Sequence, residues 1–151
     1  MTGAFRIEPA TPQDFDDIFA LLTRLRLPPD GLREHLATML VPRDRGRVVA
    51  TAAVEIYADG ALLRSVAVDG PAQGRGLGRF IAEAAIDLAR ARHAPAVFLL
   101  TTTAETYFPA LGFERIRRDA VPASVQTSVE FTSACPSGAT VMRKPLSMTP
   151  E

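Results

Sequence analysis

Apolar residues alternate with polar ones at the start of the chain and then recur at helical spacing. The segment FRIEPA (residues 5–10) is typical of a strand that Pro9 ends. A helix is predicted to follow, with Thr11 as its N-cap and Pro12 in its first turn. Its apolar face holds Phe15, Ile18, Phe19 and Leu22. Leucines at the same spacing predict a second short helix over Asp30–Leu40.

The middle of the chain predicts a hairpin, a long helix and a buried strand. Val48–Ile56 and Ala61–Val68 read as antiparallel strands joined by a turn at Ala58–Gly60. The periodicity changes to 3.6 residues over about Gly76–His93, which predicts an amphipathic helix. Ala94–Thr103 is too continuously apolar to have a face in water, so it is predicted to be a buried strand.

Shorter elements are predicted for the last third. A short helix over AETYFPALG ends at Gly112, a strand covers Phe113–Arg118, helical turns lie within Pro122–Pro136, and a last strand covers Ala139–Leu146. The order β-αα-β-β-α-β-α-β-(α)-β predicts a mixed α/β sheet with helices on both faces. The length of 151 residues predicts a single domain over residues 1–151, with its core at about 4–146.

Composition excludes several classes of function. The 17 basic residues balance the 17 acidic ones, which argues against a nucleic-acid partner. Cys135 is the only cysteine, and His35 and His93 are not spaced as ligands, so neither a disulfide nor a metal site is predicted. The sequence has no apolar run of the ~20 residues that span a membrane. We therefore expect a cytoplasmic protein without a membrane partner.

The segment GRGLGR (residues 74–79) stands between the strand that ends at Val68 and the long helix. Alternating glycines let backbone N–H groups approach a ligand, and a helix N-terminus favours negative charge. Together these features predict a seat for a phosphate or diphosphate. The P-loop triplet Gly-Lys-Ser/Thr is absent, and the third glycine comes one residue early for a dinucleotide fingerprint. The pattern Q/R-x-x-G-x-G/A remains, and it fits QGRGLG (residues 73–78).

This segment resembles the acyl-CoA-binding motif of the GNAT superfamily of N-acetyltransferases. A second motif of that family ends in F-Y-x-x-x-G-F, and the chain has YFPALGF (residues 107–113) in the expected place. The resemblance covers about residues 4–146. More narrowly, the tail PASVQTSVEFTSACPSGA (residues 122–139) is similar to the acetyltransferases of bacterial arsenic-resistance clusters. The segment TTTA (residues 101–104) also resembles the acetyltransferase domain of the arginine-biosynthesis type.

The resemblance implies a GNAT-like fold, in which a mostly antiparallel sheet has one splayed pair of strands, here Ala61–Val68 and Ala94–Thr103. It implies that acetyl-CoA lies in the gap as co-substrate, without a metal. The pantetheine arm would bond to the backbone of the first strand, and the diphosphate to the segment GRGLGR (residues 74–79), here called the glycine loop. The implied acyl-CoA residues are Val66, Ala67, Val68, Gln73, Gly74, Arg75, Gly76, Leu77, Gly78, Arg79, Thr103 and Phe108.

The residues that would move protons are less evident from the sequence. Relatives place a glutamate on a splayed strand, but neither strand here has a carboxylate. The candidate bases are Glu55, Glu105 and Glu130, or a water held by Thr101 and Thr102. Phe108 stands where many relatives have a tyrosine that acts as the general acid. Tyr107, one residue earlier, is therefore the candidate acid; the alternative is that Tyr107 packs against the strand.

Arg64, Ser65 and Thr101 are the candidate substrate residues. Arg64 would bind a substrate carboxylate, or it is a solvated residue at a strand edge. His35 is expected at the surface, and Cys135 is expected to be a buried thiol rather than an arsenic(III) ligand.

The resemblance implies an acetyl-CoA-dependent N-acetyltransferase with a small-molecule amine as its partner. The amine is expected to belong to an amino acid or to an amino-acid-like toxin. If the acceptor is such a toxin, the protein is expected to have a role in arsenic resistance. The alternatives are a non-catalytic acyl-CoA sensor and a protein N-terminal or lysine acetyltransferase. The apolar final strand would allow a homodimer.

Overall fold

The structure is a computed structural model that describes residues 6–27, 29–74, 76–102, 107–134 and 138–146. Within these ranges the strands form one eight-stranded sheet in the order β1-β2-β4-β5-β6-β8-β7, with β3 paired to β2. The strands are β1 (Ile7–Pro9), β2 (Met39–Asp44), β3 (Arg47–Val48), β4 (Ala50–Tyr57), β5 (Gly60–Val68), β6 (Ala96–Thr101), β7 (Glu114–Ile116) and β8 (Thr140–Pro145). Every pairing is antiparallel except that of β5 with β6.

Helices cover both faces of this sheet, which confirms the predicted fold class. The α-helices are α1 (Phe15–Arg24), α2 (Leu77–Ala91) and α3 (Ala123–Gln126). Single turns of 3₁₀-helix cover Pro12–Asp14, Arg33–Thr38, Gly70–Ala72, Phe108–Leu111 and Arg118–Ala120, and Glu130–Ala134 is π-helical.

Successive residues of β4 point to opposite sides, so one strand serves both cores. Ala52 and Val54 pack in the core that α2 covers, whereas Ala53 packs in the core that α1 covers. The α2 core also receives Leu77 and Ile81 from the helix itself. Small alanines at these positions bring both helices close to the sheet, where the glycine loop and the end of α1 meet.

The predicted helix over residues 30–40 is wrong at its C-terminal end. Only Arg33–Thr38 is helical, as 3₁₀ turns, and Met39 begins β2. Met39 pairs with Ala53, and Leu40 pairs with both Pro9 and Ala52. A strand forms here because pairing on both sides of β2 outweighs the local helical spacing.

The hairpin follows the prediction within two residues at each end, and the last three strands follow it with shorter bounds. β4 and β5 pair from Tyr57 and Gly60 to Ala50 and Val68. The short helix before the glycine of the second motif is a 3₁₀ turn in its described part, and Gly112 ends it in a left-handed conformation (φ +95°). Phe5 lies outside the described residues.

The parallel pair β5 and β6 separates soon after it forms. The two strands pair only at Ala61 with Val97 and at Leu62 with Phe98. β5 then runs on to Val68 without β6, which pairs along its other edge with β8 as far as Thr101. The pair is therefore open on one side, which is the splayed geometry that the resemblance implies.

Candidate functional site

A groove with a volume of about 760 Å³ follows the open half of β5 to the start of α2. Its walls are Leu25, Leu27, Val66, Ala67, Val68, Gln73, Gly74, Gly76, Gly78, Arg79, Tyr107 and Phe108. The structure thus brings together most of the residues predicted for the acyl-CoA. Leu25 and Leu27 also line the groove, but no motif indicates them, because only the fold brings the end of α1 to this place.

The glycine loop leaves the backbone open at one end of the groove. Gly74 and Gly76 have left-handed conformations (φ +83° and +75°), and a Cβ on either would meet no described atom within 4 Å. Gln73 folds back, and its Nε2 donates to the carbonyl of Val68 at 2.8 Å. Among the described residues no side chain caps α2, whose N-cap is Gly76. The first N–H groups of α2 are therefore left for an anion.

The predicted residues beside this loop have different surroundings. The side chain of Leu77 is 2% exposed and packs in the core, so only its backbone faces the loop. The side chain of Arg79 lines the groove and pairs with Glu83 at 3.1 Å on the exposed face of α2. Arg75 and Thr103, which were predicted to bind the acyl-CoA, lie outside the described residues.

β5 has a bulge where it enters the groove. Arg64 is opposite Ala53 and Ala67 is opposite Thr51, so Ser65 and Val66 of β5 face the single residue Ala52. Ser65 has a left-handed conformation (φ +58°), which is uncommon for a residue with a Cβ. Such bulges re-aim side chains and interrupt regular pairing, and here the bulge lies where Val66 begins to line the groove.

Arg64 is buried in a cluster of charged side chains. Its Nη1 donates to Oε2 of Glu55 at 2.8 Å, and its Nη2 lies 3.4 Å from Oε2 of Glu130. The side chains of Arg64 and Glu55 are 1% and 0% exposed. The alternative that Arg64 is a solvated residue at a strand edge is therefore wrong.

His35, which is expected at the surface, is half-buried and belongs to the same cluster. Its Nε2 lies 3.4 Å from Oε2 of Glu55, and its side chain is 26% exposed. The 3₁₀ turns of Arg33–Thr38 turn this side chain towards β4. No pattern along the chain indicates this contact, since only the fold brings His35 and Glu55 together.

Glu55 is held as an anion away from the groove. Burial raises its pKa, but hydrogen bonds from Ser128, Tyr57 and Arg64 and the charge of His35 outweigh burial, so the pKa of Glu55 is lowered. Burial and the hydrogen bond to Glu55 raise the pKa of Tyr57 to about 12. A carboxylate that is paired, buried and less basic than usual is a poor proton acceptor. The structure therefore disfavours Glu55 as the general base.

Tyr107 and Phe108 form the groove wall opposite β5. Phe108 is 7% exposed, and its ring meets those of Tyr107 and Phe113 edge to face at 5.1 and 5.7 Å. The hydroxyl of Tyr107 lies 3.5 Å from the point where a Cβ on Gly78 would be. Burial raises the pKa of Tyr107, so the hydroxyl keeps its proton at neutral pH. Tyr107 thus presents a donor near the start of α2.

The remaining predicted residues are not part of this geometry. Thr101 ends β6 opposite Thr140 and does not line the groove. Glu130 is 4% exposed and its backbone N–H donates to Ser128 Oγ. Glu105 and Cys135 lie outside the described residues. In the described part of the chain, no three His, Cys, Asp or Glu side chains are grouped to hold a metal ion. No described helix is both long and apolar enough to cross a membrane.

The sequence matches a family model described as the acetyltransferase (GNAT) family over residues 5–115, which is more than half of the chain. The chain belongs to the GNAT family. No curated protein sequence matches the chain.

Solved structures of low sequence identity share this GNAT fold. The N-acetylglutamate synthase of Neisseria gonorrhoeae, complexed with coenzyme A and N-acetyl-glutamate, matches 95% of the chain with a TM-score of 0.81 and 22% identity. The chain covers only 35% of that synthase.

Two solved structures of similar length to this chain also share the fold. Rv2747 of Mycobacterium tuberculosis, in complex with CoA and NLQ, has a TM-score of 0.80 and 25% identity over 94% of this chain and 99% of its own. A ribosomal-protein alanine N-acetyltransferase of Escherichia coli has a TM-score of 0.71 and 22% identity over 97% of each chain.

Proposed function

We propose that this GNAT protein transfers the acetyl group of acetyl-CoA to the α-amine of a small molecule of the amino-acid class. The observation that carries the proposal is the groove itself, which joins the bulged backbone at Val66 to the open backbone of Gly74 and Gly76. One end offers a thioester its hydrogen bonds, and the other offers a diphosphate unpaired N–H donors.

The residues that line the groove fit acetyl-CoA with its thioester end beside β5 and its diphosphate beside the glycine loop. The backbone of Val66 to Val68 takes the pantetheine arm, and the loop from Gln73 to Arg79 takes the diphosphate. The apolar side chains of Leu25 and Leu27 stand on the other wall, where they exclude water from the thioester. Acetyl-CoA supplies the activated acetyl group when bound, while the chain supplies position, which is worth about 7–11 kcal/mol in favourable cases.

The chemical step needs little from ionisable side chains. The amine nitrogen bonds to the thioester carbonyl carbon, the carbon–sulfur bond breaks, and the sulfur leaves as a thiolate. The proton lost by the amine passes to water, because Glu55 is paired and Glu130 is buried beside Arg64. A thiol with a pKa near 8.5 leaves without a strong acid, so Tyr107 is assigned to binding rather than to proton donation.

An amino acid is favoured over a protein as acceptor. Two structural relatives are described with N-acetyl-glutamate and with NLQ beside CoA. The chain has no net charge, which gives no support for an acidic groove that would attract a basic peptide. An amino-acid-like toxin, with a role in arsenic resistance, is a second acceptor class, and the tail over residues 122–139 motivates it.

The experiment is the release of free CoA from acetyl-CoA with single amino acids as acceptors. A basic peptide, a peptide with N-terminal alanine and an amino-acid-like arsenical or phosphinic toxin complete the panel. We expect release above the background with at least one amino acid or toxin and none with the peptides. Release with a peptide alone would show the protein acetyltransferase instead. Tight acetyl-CoA binding without release from any acceptor would favour the sensor.

A further inference from the structure

Thr51 of β4 holds the bulge of β5 from the neighbouring strand. Its Oγ1 donates to the carbonyl of Ser65 at 2.6 Å, and Thr51 is fully buried (0% exposed). Ser65 is the residue with the left-handed backbone. The register of β4 and β5 shifts between Thr51 and Ala53, so Ser65 lies where the regular ladder is interrupted. The hydroxyl of Thr51 supplies a hydrogen bond to the Ser65 carbonyl at this irregular point.

A second contact holds the same residue from the other side. Nε of Arg64 lies 3.1 Å from Oγ of Ser65, and Arg64 is held in turn by Glu55 and Glu130. Ser65 thus has its carbonyl fixed by Thr51 and its hydroxyl fixed by Arg64. Val66, the next residue, is the first residue of β5 that lines the groove.

We infer that Thr51 is a positioning residue for acetyl transfer: it holds the Ser65 bulge so that the backbone of Val66 meets the thioester carbonyl. The inference rests on the proposed function of the groove. A left-handed serine stays in place only when its surroundings fix it, and Thr51 supplies the buried hydrogen bond that does so. Thr51 lies one strand away from the acyl-CoA and acts through Ser65 alone.

The bulge serves the acetyl end of the ligand and not the CoA end. The diphosphate seat lies at Gly74 and Gly76, beyond the end of β5, and has its own support in the start of α2. Loss of the Thr51 hydroxyl should therefore weaken the contact with the acetyl carbonyl and leave CoA binding intact. A displacement of about 1 Å at the reacting group can cost ~10²-fold in rate.

The experiment compares wild type with Thr51→Val, which removes the hydroxyl at nearly constant shape, and with Thr51→Ser, which keeps it. Ile18→Val, in the core under α1, is the control for a small loss of packing. Two readouts are used: kcat and KM for CoA release, and the ratio of the dissociation constants of acetyl-CoA and CoA. Ser65→Gly adopts this backbone without strain, and the double variant Thr51→Val/Ser65→Gly is compared with it in case Thr51→Val alone does not fold.

We expect Thr51→Val to lower kcat by about 10- to 100-fold with KM within about twofold. It should also abolish any preference for acetyl-CoA over CoA, while Thr51→Ser and Ile18→Val keep wild-type values. Ser65→Gly keeps the carbonyl that Thr51 binds and adopts the left-handed backbone without strain, so it should fold and keep kcat near wild type, whereas the double variant should lose kcat as Thr51→Val does.

Wild-type values of kcat and of the binding ratio in Thr51→Val, or in the double variant if Thr51→Val alone does not fold, would overturn the inference. An equal loss of CoA and acetyl-CoA binding would also overturn it, because that result indicates general damage. Failure of the proposed function has a different signature, which is the absence of CoA release from wild type. The binding ratio still decides the role of Thr51 in that case.

Discussion

The guanidinium of Arg64 lies 2.8 Å from the carboxylate of Glu55, and both side chains are buried. Buried ions of this kind are stable only as a pair, because either ion alone would lose its hydration with no opposite charge to compensate for the loss. The pair joins β4 to β5 one residue before the bulge that opens the groove. It explains why a charged residue stands on the strand that the acyl-CoA uses. Glu55 is thereby assigned to structure, and the proton of the amine has to leave by another route.

Glu55→Gln should destabilise the fold by about 3 kcal/mol at pH 7, since it leaves Arg64 with only part of its buried compensation. Urea denaturation measures the change in the free energy of unfolding. Asp119→Asn is the matched control, because its pair with Arg117 is largely exposed, and it should unfold at the urea concentration of wild type. A Glu55→Gln variant as stable as wild type would show that the pair contributes nothing.

The free energy of unfolding should decrease as the pH is lowered through the titration of Glu55. Its pKa is lowered in the folded state below the ordinary value of 4.5, so its contribution is complete above pH 4.5 and is lost as the pH falls through the lowered pKa. The difference in unfolding free energy between wild type and Glu55→Gln should therefore shrink from pH 6 to pH 3. A difference that is constant over this range would mean that the two states of the protein bind the Glu55 proton equally.

Tyr107→Phe should raise KM for acetyl-CoA several-fold and leave kcat within about twofold. Its hydroxyl lies beside Gly78 at the start of α2, where the diphosphate is expected, and its raised pKa keeps it a donor. S-acetyl-pantetheine, which lacks the diphosphate, is the matched substrate, and with it the variant should behave as wild type. A drop in kcat with both thioesters, together with loss of the alkaline limb of the pH profile, would instead identify Tyr107 as the acid.

Local signals were sufficient for the acyl-CoA loop. QGRGLG (residues 73–78) after a strand and before a helix predicts the open backbone of Gly74 and Gly76 from spacing and conformation alone. The hairpin of β4 and β5 is equally local, because its turn at Ala58–Gly60 fixes the register. These elements need no knowledge of distant partners.

The errors arise where distant segments meet. Met39 and Leu40 fit a helix until β1 and β4 pair with them on both sides. The sequence leaves Arg64 either to a substrate carboxylate or to solvent and places His35 at the surface, yet the fold brings both side chains against Glu55. Leu25 completes the groove only because α1 ends beside β5. None of these contacts is encoded by spacing along the chain.

The central claim, that the glycine loop seats the diphosphate of acetyl-CoA, is tested most directly by ligand-induced thermal stabilisation of Gly76→Asp beside Gly46→Asp. Both glycines have left-handed backbones (φ +75° and +82°) with open space at Cβ, so the two substitutions carry similar strain. Only Gly76 lines the groove. A ligand at 100 times its dissociation constant stabilises by about 2.7 kcal/mol.

We expect acetyl-CoA and CoA to stabilise wild type and Gly46→Asp by that amount, NAD to stabilise neither, and Gly76→Asp to gain nothing from any of the three. Equal stabilisation of Gly76→Asp and Gly46→Asp by CoA, or no stabilisation of wild type, would contradict the claim.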